Sequence, residues 1–327
     1  MSCKVLLAIL CVIHGAVRAQ QNGRGVKVAL VKMPYVGERN TAERSGGPDY
    51  LEHGGIQGRL EGLGCLTRPV AAVELSPEEQ KSYGEWNRLA LANGALGRHV
   101  AEIRRAGYLP IGLLANCSAL PGMLAGLQHS GAAPRPLRVG LVFIDAHGDY
   151  NTPETTLSGM LGGMPVAISA GLCLTRMRLQ AGLDPALPQS HIVEACVRDT
   201  DPLEQDLLDR SGIQQLSVDD IRRRSARLHD QMKRLSEITD VIYIHVDMDV
   251  LDPREVPGHP LAVPGGPTST ELAEAITDMF HYQKAAAFGV ASTPFGERDA
   301  AGVSRDAAYR LIAAAVKGVE ERETAAK

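Results

Sequence analysis

Two short acidic clusters in the sequence have the residue types and the spacing of a metal site. The first consists of Asp145, His147 and Asp149, and the second consists of Asp247 and Asp249. Residues two apart in an extended chain point to the same face, so each cluster would gather its side chains around one point if strand geometry persists. Turn formation and helix capping are the alternative interpretation, because Asp is common in both positions. Two such clusters, each closing an apolar run, favour the metal site.

Four carboxylates and one imidazole gathered in one place would repel one another without a counter-charge. Two divalent cations would supply four positive charges. The oxygen-rich ligand set favours Mn²⁺ over Zn²⁺, and Fe²⁺ or Co²⁺ would also be compatible with it. A water molecule that bridges two such ions becomes a hydroxide nucleophile near neutral pH. The two clusters therefore predict a binuclear hydrolytic centre.

The apolar runs that precede the clusters indicate the fold class. Runs rich in Val and Ile occupy residues 26–31, 139–144, 192–197, 241–246 and 285–290. They are apolar on both faces, which is typical of strands in a buried parallel sheet. Helical stretches alternate with them at residues 77–105, 201–211, 219–237, 269–282 and 304–323. This alternation predicts one doubly wound α/β domain, with its ligands beyond the carboxyl ends of the strands.

Composition excludes several other classes of protein. The 327 residues include 34 Lys and Arg against 38 Asp and Glu, for a formal net charge of −4. This balance provides no basic stripe for a phosphate backbone, so nucleic acid is not an expected partner. No apolar run reaches the roughly 18 residues of a membrane-spanning helix. A globular protein without a membrane span is the expectation.

The first 19 residues have the order of a secretory signal peptide. Lys4 precedes an apolar run at residues 5–13, and small residues follow up to a cleavage site after Ala19. A removed leader would make the protein secreted or periplasmic, and otherwise we expect it to be cytoplasmic. A wrongly assigned start codon or an amphipathic extension is the alternative interpretation.

Four of the six cysteines lie after this segment. In an exported protein they could form disulfides, but a core of this size favours their burial as small apolar side chains. These cysteines are Cys65, Cys117, Cys173 and Cys196.

Longer segments around the acidic clusters resemble the signature motifs of the ureohydrolase family, which includes arginase, agmatinase and formimidoylglutamase. They cover residues 145–149, 151–159, 198–204 and 245–253. The likeness implies a three-layer α/β/α domain over residues 26–320 with a mainly parallel, arginase-like sheet. It also implies two Mn²⁺ ions per subunit, hydrolysis of guanidines or amidines, and assembly as a homotrimer or homohexamer.

The same resemblance implies roles for individual residues. The metal ligands would be Cys117, Asp145, His147, Asp149, Asp247 and Asp249. The α-carboxylate and α-amino group of a small amino-acid-like substrate would be bound by Asn151, Thr156, Ser158, Asp201 and Glu204. For this second set, turn and helix-cap chemistry is the alternative interpretation.

Three positions depart from the arginase pattern. Cys117 replaces a metal-binding histidine, and a soft thiolate suits Mn²⁺ poorly. Gly162 replaces the histidine that moves protons near the scissile bond. Ala291 replaces the glutamate that binds the guanidinium, so a fully charged substrate would lose its main partner.

Cys117, Gly162 and His245 are similar to the N-hydroxyarginine amidinohydrolase branch of the family. His245 shares a strand face with Asp247 and Asp249, so we expect it to act as acid, base or support for a ligand. An N-hydroxyguanidine is less basic than a guanidine and needs less charge compensation. The branch keeps the glutamate that is missing at Ala291, so this position stays unexplained.

These features lead to two hypotheses. The first is a metal-dependent hydrolase that cleaves a C–N bond of a linear amidine, guanidine or N-hydroxyguanidine amino acid. Asp149 would orient the hydroxide, and His245 or solvent would protonate the leaving amine. The alternative is a catalytically impaired relative that acts as a binding or assembly protein. A nucleotide-binding Rossmann protein is disfavoured, because Val36-Gly37-Glu38-Arg39 after the first strand is not a GxGxxG turn.

Overall fold

The computed structural model of the chain describes residues 25–36, 45–132 and 134–326. These residues form an eight-stranded sheet in which all the strand pairs are parallel. The order across the sheet is β2-β1-β3-β8-β7-β4-β5-β6. The strands are β1 Val28–Met33, β2 Ala71–Ala72, β3 Leu109–Leu114, β4 Val139–Ile144, β5 Ile192–Ala195, β6 Gln214–Leu216, β7 Val241–Asp247 and β8 Ala285–Ala291.

Helices connect the strands and cover the sheet. In chain order they are α1 Gly47–His53, α2 Ile56–Gly62, α3 Pro77–Gln80, α4 Glu85–Arg105, α5 Leu120–Gln128, α6 Pro165–Ser169, α7 Thr175–Gln180, α8 Pro202–Asp209, α9 Val218–Arg222, α10 Ala226–Ile238, α11 Ser269–Phe280 and α12 Val303–Ala325. Among the residues that the structure describes, no helix is long and apolar enough to cross a membrane. The expected signal peptide at residues 1–19 lies outside the described residues.

The two faces of the sheet bury separate apolar cores. Val142 of β4 and Ile244 of β7 pack on the face covered by α1, α2 and α9–α12. Phe143 and Tyr243, one position away on each strand, pack on the opposite face with α4–α8. Successive side chains of a strand point to opposite faces, so a strand buried on both sides must be apolar throughout. The α/β fold class with its three layers is confirmed.

Within the described ranges, three strands were not predicted by the sequence patterns. β2 and β6 are only two and three residues long. β3 lies in the centre of the sheet but contains Pro110 and Gly112, which are both unfavourable in strands. Leu109 N donates to Lys27 O, just before β1, so the nitrogen of the next residue, Pro110, faces β8. The missing N–H of Pro110 is tolerated because it removes no hydrogen bond to β1. Pairing with β8 begins only at Ile111.

Two stretches that were predicted as single helices are each interrupted. Residues 77–105 form α3 and α4, because Gly84 adopts a left-handed φ of 92° between them. Residues 219–237 form α9 and α10, because Arg224 turns the chain with a φ of 48°. The longer helix of each pair buries apolar residues, from Leu89 to Ile103 in α4 and from Leu228 to Leu235 in α10.

The four central strands end at one edge of the sheet and bring distant segments together. β3, β8, β7 and β4 are neighbours and all run in the same direction. The residues immediately after β3, β4 and β8 therefore meet the last residue of β7 at the carboxyl edge, where ligands bind in open parallel sheets.

Candidate metal centre

Three overlapping groups of potential metal ligands lie at this edge of the sheet. Within each group the ligand atoms lie within 4.8 Å of one another. The groups are Cys117, Asp145 and Asp149; Asp145, His147 and Asp249; and Asp247, Asp249 and His259. Asp145 and Asp249 each belong to two groups. The structure thus brings together the six residues that the sequence predicted as ligands.

The first acidic cluster converges through a turn and not through an extended strand. β4 ends at Ile144, and Asp149 adopts a left-handed φ of 47°. Val166 N at the start of α6 donates to Asp149 O over 3.0 Å and holds this turn. His147 Nδ1 lies 3.4 Å from Asp145 Oδ1 and 3.2 Å from Asp249 Oδ2. Its imidazole therefore joins the two clusters.

The second cluster is built on the end of β7. Asp247 is the last residue of the strand, and a short 3-10 helix at Met248–Val250 follows it. Asp249 N donates to Asp247 Oδ1 over 3.0 Å, which folds the second carboxylate back beside the first. Ser292 Oγ, just after β8, donates to Asp247 Oδ2 over 2.6 Å.

Cys117 enters the site from the loop after β3. Asn116 Oδ1 accepts a hydrogen bond from Ser118 N, which begins the short helix Cys117–Ala119. Cys117 Sγ lies 2.8 Å from Asp247 Oδ2 and 3.7 Å from Asp145 Oδ2. Cys117, Cys65, Cys173 and Cys196 all carry free thiols.

The electrostatics of the cluster match a site for divalent cations. Burial, and then repulsion from Asp247, raises the pKa of Asp145. Burial, and then repulsion from Asp145, raises the pKa of Asp249 to about 6. Burial alone would lower the pKa of His147, but its hydrogen bonds with Asp145 and Asp249 raise it to about 11. Buried carboxylates at this spacing need added positive charge, and their oxygens are hard donors that suit divalent ions.

The structure adds a ligand candidate that the sequence analysis missed. His259 Nε2 lies 3.9 Å from Asp247 Oδ1, and the side chain is only 6% exposed. His259 lies in the loop over residues 257–266, which has no strand or helix pattern to indicate where it packs. The sequence offered one signal for His259, namely that it is a histidine in the loop that follows the second acidic cluster.

The cluster lines a cavity of about 280 Å³. Asn151, Ser158, Asp201 and Glu204, four of the predicted substrate-binding residues, line this cavity. Thr156 supports the wall, with its Oγ1 3.3 Å from Ser158 Oγ. The other lining residues include Asn116, Met160, Gly162, Gly163, Asp199, Thr200, Leu261 and Ser292.

Two of these residues are held by neighbouring amides. Asp201 Oδ2 accepts hydrogen bonds from Asn151 Nδ2 and Leu157 N, each over 3.1 Å. Glu204 accepts from Tyr150 N and Asp201 N, so both of its oxygens have backbone partners. Asp201 therefore presents a fixed carboxylate to the cavity, whereas Glu204 mainly stabilises the wall.

His245 lies behind Cys117 and does not line the cavity. Its Nε2 is 3.2 Å from Cys117 Sγ, and its ring stacks on Phe143 with centroids 5.0 Å apart. Burial lowers the pKa of His245 to about 3, so the imidazole is neutral. His245 therefore contacts the candidate ligand Cys117 but not the cavity. A side chain that donates a proton to the leaving group would have to reach the cavity.

Of the other two departures from the arginase pattern, Gly162 lines the cavity and Ala291 lies in the sheet beside it. A Cβ at Gly162 would lie 3.1 Å from Asn116 Nδ2, so the Asn116 amide occupies the space beside this position. Ala291 is fully buried and pairs with Asp247 in the sheet. The strand therefore carries a buried methyl group where the arginase pattern has a glutamate.

We expect the metal-free protein to lose stability as the pH rises from about 4 to about 6. The pKa of Asp249 is 3.8 in its unperturbed form and about 6 in the fold, so the native state keeps a proton that the unfolded state releases in this window. His147 acts in the same direction between its unperturbed pKa of 6.5 and about 11. Thermal unfolding across pH, in chelator and in excess Mn²⁺, measures the effect.

Added metal should remove most of this decline. Hydrogen bonds from Arg138 lower the pKa of Asp240 to about 2, so this group changes the stability only below about pH 4 and does not contribute to the decline. An identical pH profile with and without metal would contradict the assignment of these residues as ligands.

A second prediction concerns the loop that carries His259. The Arg198 guanidinium donates to Cys196 O, Val250 O, Val263 O and Pro264 O, at 2.8 to 3.2 Å. The single ammonium group of lysine cannot donate to all four carbonyl oxygens. In Arg198→Lys we therefore expect the free energy of unfolding to fall by about 2 kcal/mol and metal binding to weaken. Urea unfolding and calorimetric titration measure the two effects. Arg254→Lys, at an exposed arginine paired with Asp252, should change neither, and equal effects at both positions would refute the role of Arg198.

Comparison with known proteins agrees with this geometry. The arginase family model matches residues 27–312. The chain is 30% identical to the arginase of Brevibacillus brevis over an alignment of 234 residues. This alignment covers 69% of this chain and 77% of that protein. The crystal structure of arginase from Bacillus subtilis superposes with a TM-score of 0.76 at 22% identity, over 89% of this chain and 98% of that one. The crystal structure of formimidoylglutamase from the same species superposes with a TM-score of 0.68 at 18% identity, over 91% of this chain and 88% of that one. The chain belongs to the arginase family.

Proposed function

We propose that this protein is a metal-dependent hydrolase that cleaves a C–N bond of a linear amidine, guanidine or N-hydroxyguanidine amino acid. The observation that carries the proposal is the overlap of three potential ligand groups that line one cavity. A binding scaffold has little reason to maintain so many buried carboxylates together, because their mutual repulsion destabilises the fold.

Two divalent ions per subunit would be held by the three groups, with Asp145 and Asp249 shared between groups. Mn²⁺ suits the carboxylate-rich part of the site, and Fe²⁺ or Co²⁺ would also fit. When bound, such ions neutralise the carboxylates and make a water molecule nucleophilic near neutral pH.

The protein residues supply orientation and proton transfer. Asp149 is buried, lines the cavity and has a pKa raised well above its usual value, first by burial and then by Asp145. We assign to it the positioning of the attacking water and the acceptance of its proton. Protonation of the leaving amine then falls to Asp149 or solvent, because His245 does not reach the cavity.

Other residues of the cavity lining fit the amino-acid end of the substrate. Asp201 presents a fixed carboxylate for an α-ammonium group, while Asn151 and Ser158 can donate to an α-carboxylate. Ala291 offers no charge for a guanidinium, which favours the less basic N-hydroxyguanidine or amidine over arginine.

The proposal is tested with protein loaded with Mn²⁺ and, separately, Co²⁺. Arginine, N-hydroxyarginine, agmatine and formimidoylglutamate are assayed for urea-type and amine products. We expect hydrolysis of N-hydroxyarginine to exceed that of arginine, and agmatine to react slowly because it lacks the α-carboxylate. Asp201→Asn should raise KM for arginine, N-hydroxyarginine and agmatine alike, because all three carry the amine that Asp201 would bind. No turnover of any of the four, with two ions bound, would contradict the proposal.

The second candidate function is a binding or assembly protein that keeps the fold without catalysis. The substitutions at Cys117, Gly162 and Ala291 favour it. Calorimetric titration with Mn²⁺ separates the candidates: two ions per chain support the enzyme, and one or none supports the alternative. We propose a homotrimer or homohexamer in either case, which light scattering measures.

A further inference from the structure

A buried chain of hydrogen bonds runs behind Cys117, on the side away from the cavity. Tyr243 and His245 are two apart on β7 and so share a face. Tyr243 Oη lies 2.8 Å from His245 Nδ1, and His245 Nε2 lies 3.2 Å from Cys117 Sγ. All three side chains are at most 1% exposed. The mechanism described above uses neither Tyr243 nor His245.

The hydroxyl of Tyr243 determines the direction of this chain. Burial raises the pKa of Tyr243 well above 10, so the hydroxyl keeps its proton. If the hydroxyl donates to His245 Nδ1, the imidazole proton is on Nε2 and points to the Cys117 sulfur. In the reverse direction the hydroxyl proton would have no acceptor among the described residues, and a buried donor without a partner destabilises the fold. The first arrangement satisfies every donor.

The packing around the pair maintains this arrangement. The His245 ring stacks on Phe143 at an interplanar angle of 9° and meets the Tyr243 ring edge-on. A Cβ at Gly289 would overlap the Tyr243 hydroxyl, so the glycine provides the space that the hydroxyl occupies. The imidazole is therefore fixed in both orientation and distance from the sulfur.

We propose that Tyr243 and His245 position Cys117 as a thiolate ligand, so that the half of the site containing Cys117 selects a softer divalent ion such as Co²⁺, Fe²⁺ or Zn²⁺. The proposal rests on the metal centre of the proposed function. On binding, the S–H bond breaks, the proton leaves to solvent, and a sulfur–metal bond forms. The Nε2–H group continues to donate to the sulfur, as outer hydrogen bonds commonly do at metal ligands. The half formed by Asp145, His147 and Asp249 keeps its preference for harder ions.

Titration with Co²⁺ tests this proposal, because a sulfur–cobalt bond gives a charge-transfer absorption band in the near ultraviolet. We expect the band in the wild-type protein and its loss in Cys117→Ser. In Tyr243→Phe, which removes only the hydroxyl, we expect the band to shift and the Co²⁺ affinity of this half to fall about tenfold or more. Tyr309→Phe is the matched control, since Tyr309 is also buried but donates to Leu51 O on the other face of the sheet.

Proton release provides an independent measurement. Calorimetry in buffers of different ionisation enthalpy should show about one more proton released by wild-type protein than by Cys117→Ser. Two bound Co²⁺ ions without a charge-transfer band would overturn this inference and leave the proposed function intact. A band that Tyr243→Phe leaves unchanged would overturn the role of the pair. Absence of bound Co²⁺ would overturn the proposed function itself.

Discussion

Replacing Asp145 by asparagine is expected to weaken metal binding by more than about 100-fold and to remove hydrolytic activity. Asp145 belongs to two of the ligand groups, and an amide cannot neutralise two cations. Changes to residues that only support a ligand already reduce metal affinity by about 10–100-fold, so loss of a shared ligand should exceed this. Calorimetric titration with Mn²⁺ and an assay on N-hydroxyarginine measure both effects.

The same substitution should have the opposite effect on the metal-free protein. The pKa of Asp145 is raised by burial and by Asp247, so its negative charge destabilises the empty cluster at neutral pH. Asparagine removes that charge, and Asp249 remains as a partner of His147. We therefore expect a higher melting temperature in chelator and a lower one than wild type in excess Mn²⁺.

Asp299→Asn is a matched control for the Asp145 variant. Asp299 is as deeply buried, but its carboxylate accepts hydrogen bonds from Ser304 N, Arg305 N and Tyr50 Oη. Its substitution should destabilise the protein in chelator and leave metal affinity unchanged. A metal-free Asp145→Asn protein that melts below wild type would show that the carboxylates do not repel one another as described.

Restoring an imidazole at position 117 is expected to change which metal the protein prefers. Cys117→His, combined with His245→Ala to provide space, replaces a soft donor by one that Mn²⁺ accepts more readily. We expect the ratio of the Co²⁺ and Mn²⁺ affinities to move towards Mn²⁺ by about tenfold, equivalent to about 1.4 kcal/mol. Competition between the two ions, followed by metal analysis of the dialysed protein, measures the ratio.

Two controls separate the ligand exchange from general changes in packing. His245→Ala alone keeps the thiol and should retain the Co²⁺ preference in a weaker form. Cys65→Ser changes a buried thiol in the other core and should have no effect on the ratio. An unchanged ratio in the double variant would indicate that Cys117 does not bind metal.

The sequence identified the parts of the fold with the strongest local signals. β4 and β7 are apolar on both faces, and an acidic cluster begins just after β4 and at the last residue of β7, so each segment indicates both a strand and candidate ligands. β3 was missed because Pro110 and Gly112 disfavour a strand locally, and only its neighbours in the sheet make it one. The break at Arg224 was missed for a related reason, since the chain turns at an arginine with a left-handed φ and not at glycine or proline.

The candidate ligands were predicted where they belong to short acidic motifs, and Cys117 was added by the family resemblance. The candidate ligands of the two acidic clusters lie in short motifs, whereas His259 approaches Asp247 through a loop without a periodic pattern. Tyr243 resembles any aromatic residue of a buried strand, and only the three-dimensional structure shows its hydroxyl against His245. The contacts of His259 and Tyr243 depend on how strands and loops are placed in the fold, which local sequence patterns do not specify.

The order of the strands in the sheet also determines when a cation can act during folding. Cys117, Asp145 and Asp247 come from segments far apart in the chain, and they meet only after β3, β8, β7 and β4 have paired side by side. A chain that has formed only its first half lacks the second acidic cluster and has no complete site to bind. Divalent ions should therefore leave the rate of folding almost unchanged and extend the lifetime of the native state against unfolding.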